Sequence, residues 1–438
     1  MSIMRVEDFN LLYGFQEVEM NNDYIIATYQ LVSATKDIGK LAMAIADEQT
    51  TGTWTKVTIE SSEMKKKFGA KVLNIIPIPD LSDAAAANPE KAYILTIGYP
   101  PVNFGYDVPM FLSTIMGNIS ASGKIKLIDV HFPKSYLDHI QGPKFGIQGL
   151  RDALGIQDRP LLNAMIKPNL GWTPDEGAAL FYEASRGGID IIKDDELMPA
   201  NQPHCPLKDR VTRMMAMEKK VFEETGEHTL YAVNITDEVF RLKDNAMRAL
   251  EYGANCLMIN YYTCGFSAAK GIAEDKDINV PILAHIDFVG VYVASPFHGL
   301  AGNLMIGKLA RMAGADFQIQ GNPFGKFPVP MLHCLQIAHY STQPLYHIKP
   351  MMPAISGGTT QTVVKDLIDV LGMDIILAAG GAVHGHPDGS RAGALAMRQA
   401  VDASMKGIPL AEYAKQHQEL AKALNIWGDT TKIFDLMK

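Results

Sequence analysis

The sequence predicts an N-terminal α+β domain of ferredoxin-like type followed by a C-terminal TIM (β/α)8 barrel. Three observations lead there. From residue 161 onward, short apolar runs of strand character alternate eight times with helical stretches. Polar residues stand at nearly every strand end in that region, where barrels carry their chemistry. Residues 1–145 follow a different order, one that fits an antiparallel sheet with helices on one face. An open doubly wound sheet would share the alternation, but eight consecutive units favour closure.

In the first domain, residues 1–145, Tyr24–Leu31 reads as a strand and Asp37–Glu48 has helical spacing. Lys71–Ile76, Ala92–Tyr99 and Lys124–Phe132 read as further strands, with a helix over Val108–Met116. Residues 138–152, which include Gly142-Pro143-Lys144-Phe145-Gly146, read as the join. In the second domain, residues 146–438, strands are predicted at 161–167, 189–195, 229–235, 254–260, 281–286, 315–320, 352–356 and 375–379. Helices are predicted near 174–187, 205–225, 239–252, 265–275, 300–313, 329–340, 360–371 and 389–406. His298 is read as standing at the start of the fifth of these.

Composition narrows the classes. Hydrophobic residues make up 47% and charged residues 20%, a globular balance with ample core, and a net charge of −8 argues against nucleic-acid binding. No apolar run approaches a membrane span, and the first residues lack a signal-peptide apolar core. Cys205, Cys256, Cys264 and Cys334 have neither zinc nor disulfide spacing, which fits reduced thiols and a cytoplasmic location.

The chemistry concentrates at Lys193-Asp194-Asp195-Glu196, where the second barrel strand ends. Side chains alternate along a strand, so Lys193 and Asp195 share one face and Asp194 takes the other, toward a neighbouring helix. Clustered carboxylate oxygens suit a hard cation such as Mg²⁺. A lysine among them fits either a catalytic amine or a carbamate formed with CO₂; a salt-bridge cluster is the plainer alternative. The other strand ends bring Lys167, Asn234, Asn260, His285 and the segment ending in Lys326. Ser356-Gly357-Gly358 and Gly380-Gly381 follow strands seven and eight, where barrels bind phosphate through backbone N–H groups. His384 and His386 flank Gly385 and are read as orienting the last of these loops.

These pieces resemble the large chain of ribulose bisphosphate carboxylase, RuBisCO. The resemblance rests on Gly187 through Glu196, Ile166-Lys167-Pro168, Thr51 through Thr55, Phe324-Gly325-Lys326, Ile355 through Gly358, and Gly380-Gly381 through Pro387, all in family order. It implies that Lys193 is carbamylated and binds Mg²⁺ with Asp195 and Glu196. It implies that Lys167 handles protons on an enediolate, that Lys326 rides a mobile loop, and that His285 contacts substrate. Thr53, Trp54, Ser356, Gly357, Gly358, Gly380 and Gly381 would hold phosphate. Glu48 and Asn118 would reach the site from a partner subunit, because the family's minimal unit is a homodimer with shared active sites, one that can assemble further.

The departures point away from CO₂ fixation. Asn169 stands where carboxylases carry a second lysine, Ile286 where an arginine holds a second phosphate, and Ile319 where a histidine precedes the sixth loop. The chain is therefore similar to the RuBisCO-like proteins of form IV, and the expectation is Mg²⁺-dependent enolate chemistry on a small phosphorylated keto-sugar or oxo sugar acid. A branch of that group, the 2,3-diketo-5-methylthiopentyl-1-phosphate enolases, uses a lysine base in the strand before a Tyr-Pro. Here that position is Thr96. C–C cleavage makes an enolate without a base, so decarboxylation or transcarboxylation of a 3-oxo sugar acid phosphate is the favoured expectation. The enolase reaction, a 5-methylthioribulose-1-phosphate isomerase and a non-catalytic decayed barrel are the alternatives.

Overall fold

The computed structural model describes residues 23–428 except 54, 56, 80–88 and 327. The chain divides into two compact units. One contains the residues up to Gln141 together with Val289–Met305, and the other contains Gly142–Phe288 and the residues from Ile306 onward.

The first unit is built on β1 (Ile25–Ser33), β2 (Lys71–Pro77), β3 (Lys91–Tyr99) and β4 (Lys124–His131). β1 pairs antiparallel with β3 and β4, and β2 with β3. The spatial order is therefore β4-β1-β3-β2, the ferredoxin-like arrangement. Helices Ile38–Glu48 and Val108–Met116 begin where Asp37 and Asp107 accept hydrogen bonds from the N–H groups of Lys40 and Met110. Helix Ser62–Phe68 was not expected from the sequence. Gly299–Leu300 forms β10, which pairs parallel with β4 and extends this sheet. His298 thus precedes a strand and not a helix; the helical turns begin at Asn303 with a wide π-type stretch.

The second unit is a closed barrel of eight parallel strands. They are β5 (Leu161–Met165), β6 (Ile191–Lys193), β7 (Leu230–Asn234), β8 (Cys256–Asn260), β9 (Ile282–His285), β11 (Phe317–Gly321), β12 (Met352–Ser356) and β13 (Ile376–Ala378). Each falls inside or within a residue of its predicted run. Helix Pro174–Arg186 starts with a capping box in which the Thr173 hydroxyl accepts from the Glu176 N–H while the Glu176 carboxylate accepts from the Thr173 N–H. The barrel interior is filled by alternate residues of every strand, among them Leu161, Ile191, Leu283, Phe317 and Ile376. The join contains a helix, Gly146–Leu154, whose Ile147, Leu150 and Leu154 pack into that core from one end. Its two glycines had hidden it, since glycine lowers helix propensity.

Candidate active site

The C-terminal ends of β5, β6 and β9 bring the predicted ionisable residues together. Lys193, the last residue of β6, is fully buried, and its Nζ donates to the Asp194 carbonyl at 2.7 Å and to Glu196 Oε2 at 3.2 Å. Beyond the end of β5, Lys167 Nζ donates to Asp195 Oδ2 and to Asn169 Oδ1, both at 2.6 Å. At the end of β9, His285 Nε2 lies 3.2 Å from Glu196 Oε2. The Asp287 N–H donates to His285 Nδ1, which fixes the imidazole proton on Nε2. Two lysines, two carboxylates and one imidazole thus interleave at the barrel mouth.

Electrostatics keep Glu196 ionised. Burial alone would raise its pKa, but the hydrogen bond from His285 and the charge of Lys193 outweigh it and hold the carboxyl far below its usual range. Burial, helped by the Lys193 charge, lowers the His285 pKa against the opposing pull of Glu196, so the ring is neutral at pH 7.

Asp194 points the other way, as strand alternation requires. It accepts from the Tyr231 hydroxyl at 2.5 Å, from Arg210 Nε at 3.1 Å and from the Asn234 N–H at 3.0 Å. Arg210, on helix Leu207–Thr225, is itself fully buried. Two strand-end asparagines brace the next loop. Asn234 Nδ2 donates to the Glu196 and Met198 carbonyls, and Asn260 Nδ2 to the Glu196 carbonyl. The sequence flagged both asparagines by position but not this function. Nothing in the sequence marked Tyr231 or Arg210 as a partner of Asp194.

The sixth and seventh loops are locked to one another. Asn322 N–H donates to the Ser356 carbonyl at 2.9 Å, Asn322 Nδ2 to Thr359 Oγ1 at 3.0 Å, and Lys326 N–H to the Gly357 carbonyl at 2.7 Å. A Cβ on Gly325 would lie 2.0 Å from the Gly357 oxygen, and one on Gly358 2.6 Å from the Lys326 nitrogen, so only glycine permits this approach. Gly380 abuts the Lys167 side chain, since a Cβ there would lie 3.2 Å from Lys167 Cε. Ser356, Gly357, Gly380 and Gly381 therefore stand at the same barrel end as the lysine–carboxylate cluster.

Residues assigned to the other unit form their own group. Glu48 and Asn118 are exposed, and Asn118 Nδ2 donates to Glu48 Oε1 at 3.1 Å. Thr53 is exposed, and Trp54 lies outside the described residues.

The donor set meets the chemistry of a hard cation only in part. Asp195 and Glu196 supply carboxylate oxygens, and those oxygens now carry Lys167, Lys193 and His285 as positive or N–H partners. Among the described residues, no group of three His, Cys, Asp or Glu side chains is arranged to hold a metal. A carbamate on Lys193 would supply the missing anionic oxygen and remove the ammonium that would repel the ion. With that modification the residues fit Mg²⁺.

Comparison with known proteins agrees with the fold. The family model for the ribulose bisphosphate carboxylase large chain, catalytic domain, matches residues 146–328 and 335–427, and the N-terminal domain model matches residues 13–136. A ribulose bisphosphate carboxylase-like protein of Archaeoglobus fulgidus is 45% identical over 410 residues, which cover 92% of this chain and 93% of that one. A 2,3-diketo-5-methylthiopentyl-1-phosphate enolase of Geobacillus thermodenitrificans is 38% identical, covering 92% of this chain and 98% of that one. A solved rubisco-like protein from Alicyclobacillus acidocaldarius superposes with a TM-score of 0.85 at 33% identity, covering 93% and 100% of the two chains. A dimeric archaeal rubisco from Hyperthermus butylicus superposes at 0.84 with 35% identity, covering 93% and 96%.

Proposed function

This chain belongs to the ribulose bisphosphate carboxylase large-chain family, and from that premise we propose that it is a Mg²⁺-dependent enolate-forming enzyme acting on a small phosphorylated ketone. The observation that carries the reading is the interleaving of Lys193, Glu196, Asp195 and Lys167 at one barrel mouth. Asp195, Glu196 and carbamylated Lys193 would hold the ion, which supplies polarisation of a substrate carbonyl. Lys167 is the proton-transfer group. Its ammonium is partly exposed, so substrate can reach it, and Asp195 and Asn169 fix its direction. His285 donates from Nε2 toward the same oxygens. Backbone N–H groups at Gly357, Gly358, Gly380 and Gly381, with Ser356 beside them, bind the phosphate, and Lys326 closes over it. Glu48, Thr53, Trp54 and Asn118 complete the site from the partner subunit of a homodimer, and the protein works in the cytoplasm.

Among enolate reactions, relatives named 2,3-diketo-5-methylthiopentyl-1-phosphate enolase at 36–38% identity favour proton abstraction from a phosphorylated dicarbonyl. One observation favours the second reading, decarboxylation of a 3-oxo sugar acid phosphate. Thr96, in the place of that branch's lysine, is buried on β3 between Thr28 and Asn74 and cannot act as a base. The test is incubation in D₂O with Mg²⁺ and bicarbonate, followed by NMR, with Lys193→Ala as control. Deuterium entering beside the carbonyl of the diketo phosphate supports enolisation. Loss of CO₂ from the oxo acid instead moves the assignment to decarboxylation. No metal-dependent change in either substrate overturns the enzyme reading.

A further inference from the structure

Asn163 is the one residue of the barrel interior whose side chain has polar atoms and nothing to do with them, among the described residues of β5. It is fully buried, and neither Nδ2 nor Oδ1 has a hydrogen-bond partner. Burying an amide unpaired is costly, so such a group calls for an explanation.

Its direction follows from strand parity. Leu161 and Met165, two residues to either side, belong to the interior core, as do Ile191 and Ala378, its register partners on β6 and β13. Asn163 shares that inward face. Met165 is the register partner of Lys193, so Asn163 stands one pleat below, diagonal to Lys193. Met165 offers only a thioether, a poor hydrogen-bonding group. Asn163 is thus the nearest strong hydrogen-bonding side chain that β5 presents to the lysine. Ile191, Leu161 and Met165 are large inward neighbours of Asn163, but three other inward positions near it and Lys193 are small. Ala378 flanks Asn163, Ala232 is the register partner of Lys193 on β7, and Ala354 lies on β12. A polar group with small neighbours is where interior water is held.

We infer that Asn163 is a positioning residue for Lys193, its amide engaging the lysine head group from below through buried water and favouring the carbamylated form. The inference rests on the carbamate reading given above. An amide suits the task because its Nδ2 hydrogens can donate to the anionic carbamate oxygens, a charge-assisted bond that the neutral amine which reacts with CO₂ does not match. Its neutrality matters too, since a carboxylate there would repel the carbamate.

The test is ¹³C NMR of the full-length protein titrated with ¹³C-bicarbonate and Mg²⁺, without any substrate. Wild type, Asn163→Leu and Asn163→Ser are compared, each with its thermal midpoint. The Leu variant should need about tenfold more CO₂ for half-carbamylation, the scale of a lost hydrogen bond to a charged group. Its thermal midpoint shows whether the variant is folded. Asn163→Ser, with a shorter hydroxyl, should fall between the two. If the Leu variant does not fold, the Ser variant decides, and a CO₂ dependence equal to wild type overturns the inference. Equal CO₂ dependence in a folded Leu variant does the same while leaving the carbamate reading intact. No carbamate signal in wild type overturns the reading and the inference with it.

Discussion

Asp194 and Asp195 are adjacent in sequence and face opposite ways, so the same substitution has opposite consequences. Asp194 is fully buried between Arg210 and Tyr231. Breaking a buried pair by neutralising one member leaves the other charge uncompensated and costs on the order of 3 kcal/mol. Asp194→Asn should therefore lower the thermal midpoint markedly, and any activity lost should track the folded fraction. Asp195 is just as buried, but its partner Lys167 is 32% exposed and can turn to solvent once the pair is broken. Asp195→Asn should therefore cost less stability than Asp194→Asn while abolishing Mg²⁺-dependent deuterium exchange. Differential scanning calorimetry beside the exchange assay checks both. If Asp195→Asn is the variant that unfolds, the two roles have been exchanged. The division was legible beforehand because strand parity fixes which carboxylate looks inward. The brace around it was not. Tyr231 and Arg210 lie in other elements, and nothing local to either marks its partner.

At the scale of elements, the barrel floor carries a pH dependence of its own. Asp316, just ahead of β11, accepts from the N–H groups of Phe145 and Gly146 at 2.7 and 2.8 Å and from that of Ile282 at 2.9 Å. It thereby ties the helix Gly146–Leu154 to β9. Burial pushes its carboxyl up to about 6, against the opposing pull of those three donors. A folded pKa above the unfolded value of about 3.9 gives a contribution that is complete below about pH 4 and is lost as pH rises through about 6, roughly 3 kcal/mol in all. Asp316→Asn should flatten the part of the stability-against-pH curve between pH 4 and 7 that this group causes; an unchanged slope in urea unfolding would rule it out. A second element-scale expectation concerns the loop pair at the mouth. Gly325→Ala places a Cβ 2.0 Å from the Gly357 oxygen, so the sixth loop must move off the seventh. The KM for a phosphorylated substrate should rise by about tenfold or more with little change in thermal midpoint. The eight strands could be read from sequence because each is a compact apolar run bounded by glycine or polar residues. The helix Gly146–Leu154 could not, because Gly146 and Gly149 suppress its signal and its purpose is visible only once the barrel has an end to close. The same holds for Gly299–Leu300, two residues that become a strand only by pairing with β4, far away in sequence.

At the scale of the whole molecule, the residues proposed for the site come from both compact units. Lys167, Lys193, Asp195, Glu196 and His285 belong to one; Glu48, Thr53 and Asn118 belong to the other. Asn118 holds Glu48 at the exposed end of helix Ile38–Glu48, so the pair is already assembled as a surface feature. Under the shared-site proposal, this exposed pair is what one subunit offers to its partner's barrel. Sharing across a symmetric dimer makes a quantitative expectation, because each site then takes its barrel from one subunit and its cap from the other. Glu48→Gln and Lys193→Ala should each be inactive as homodimers. After the two are unfolded and refolded together, or co-expressed with separate tags, about half of the dimers are mixed. Each mixed dimer has one site with both mutations and one with neither. Activity should therefore return to about a quarter of wild type in the mixture and to about half in the purified mixed dimer. If each site were built within a single chain, every site in the mixture would carry one mutation and nothing would return. The measurement is the substrate turnover of the purified doubly tagged dimer. An inactive mixed dimer that still forms at the expected abundance would sink the shared-site reading while leaving the barrel chemistry untouched.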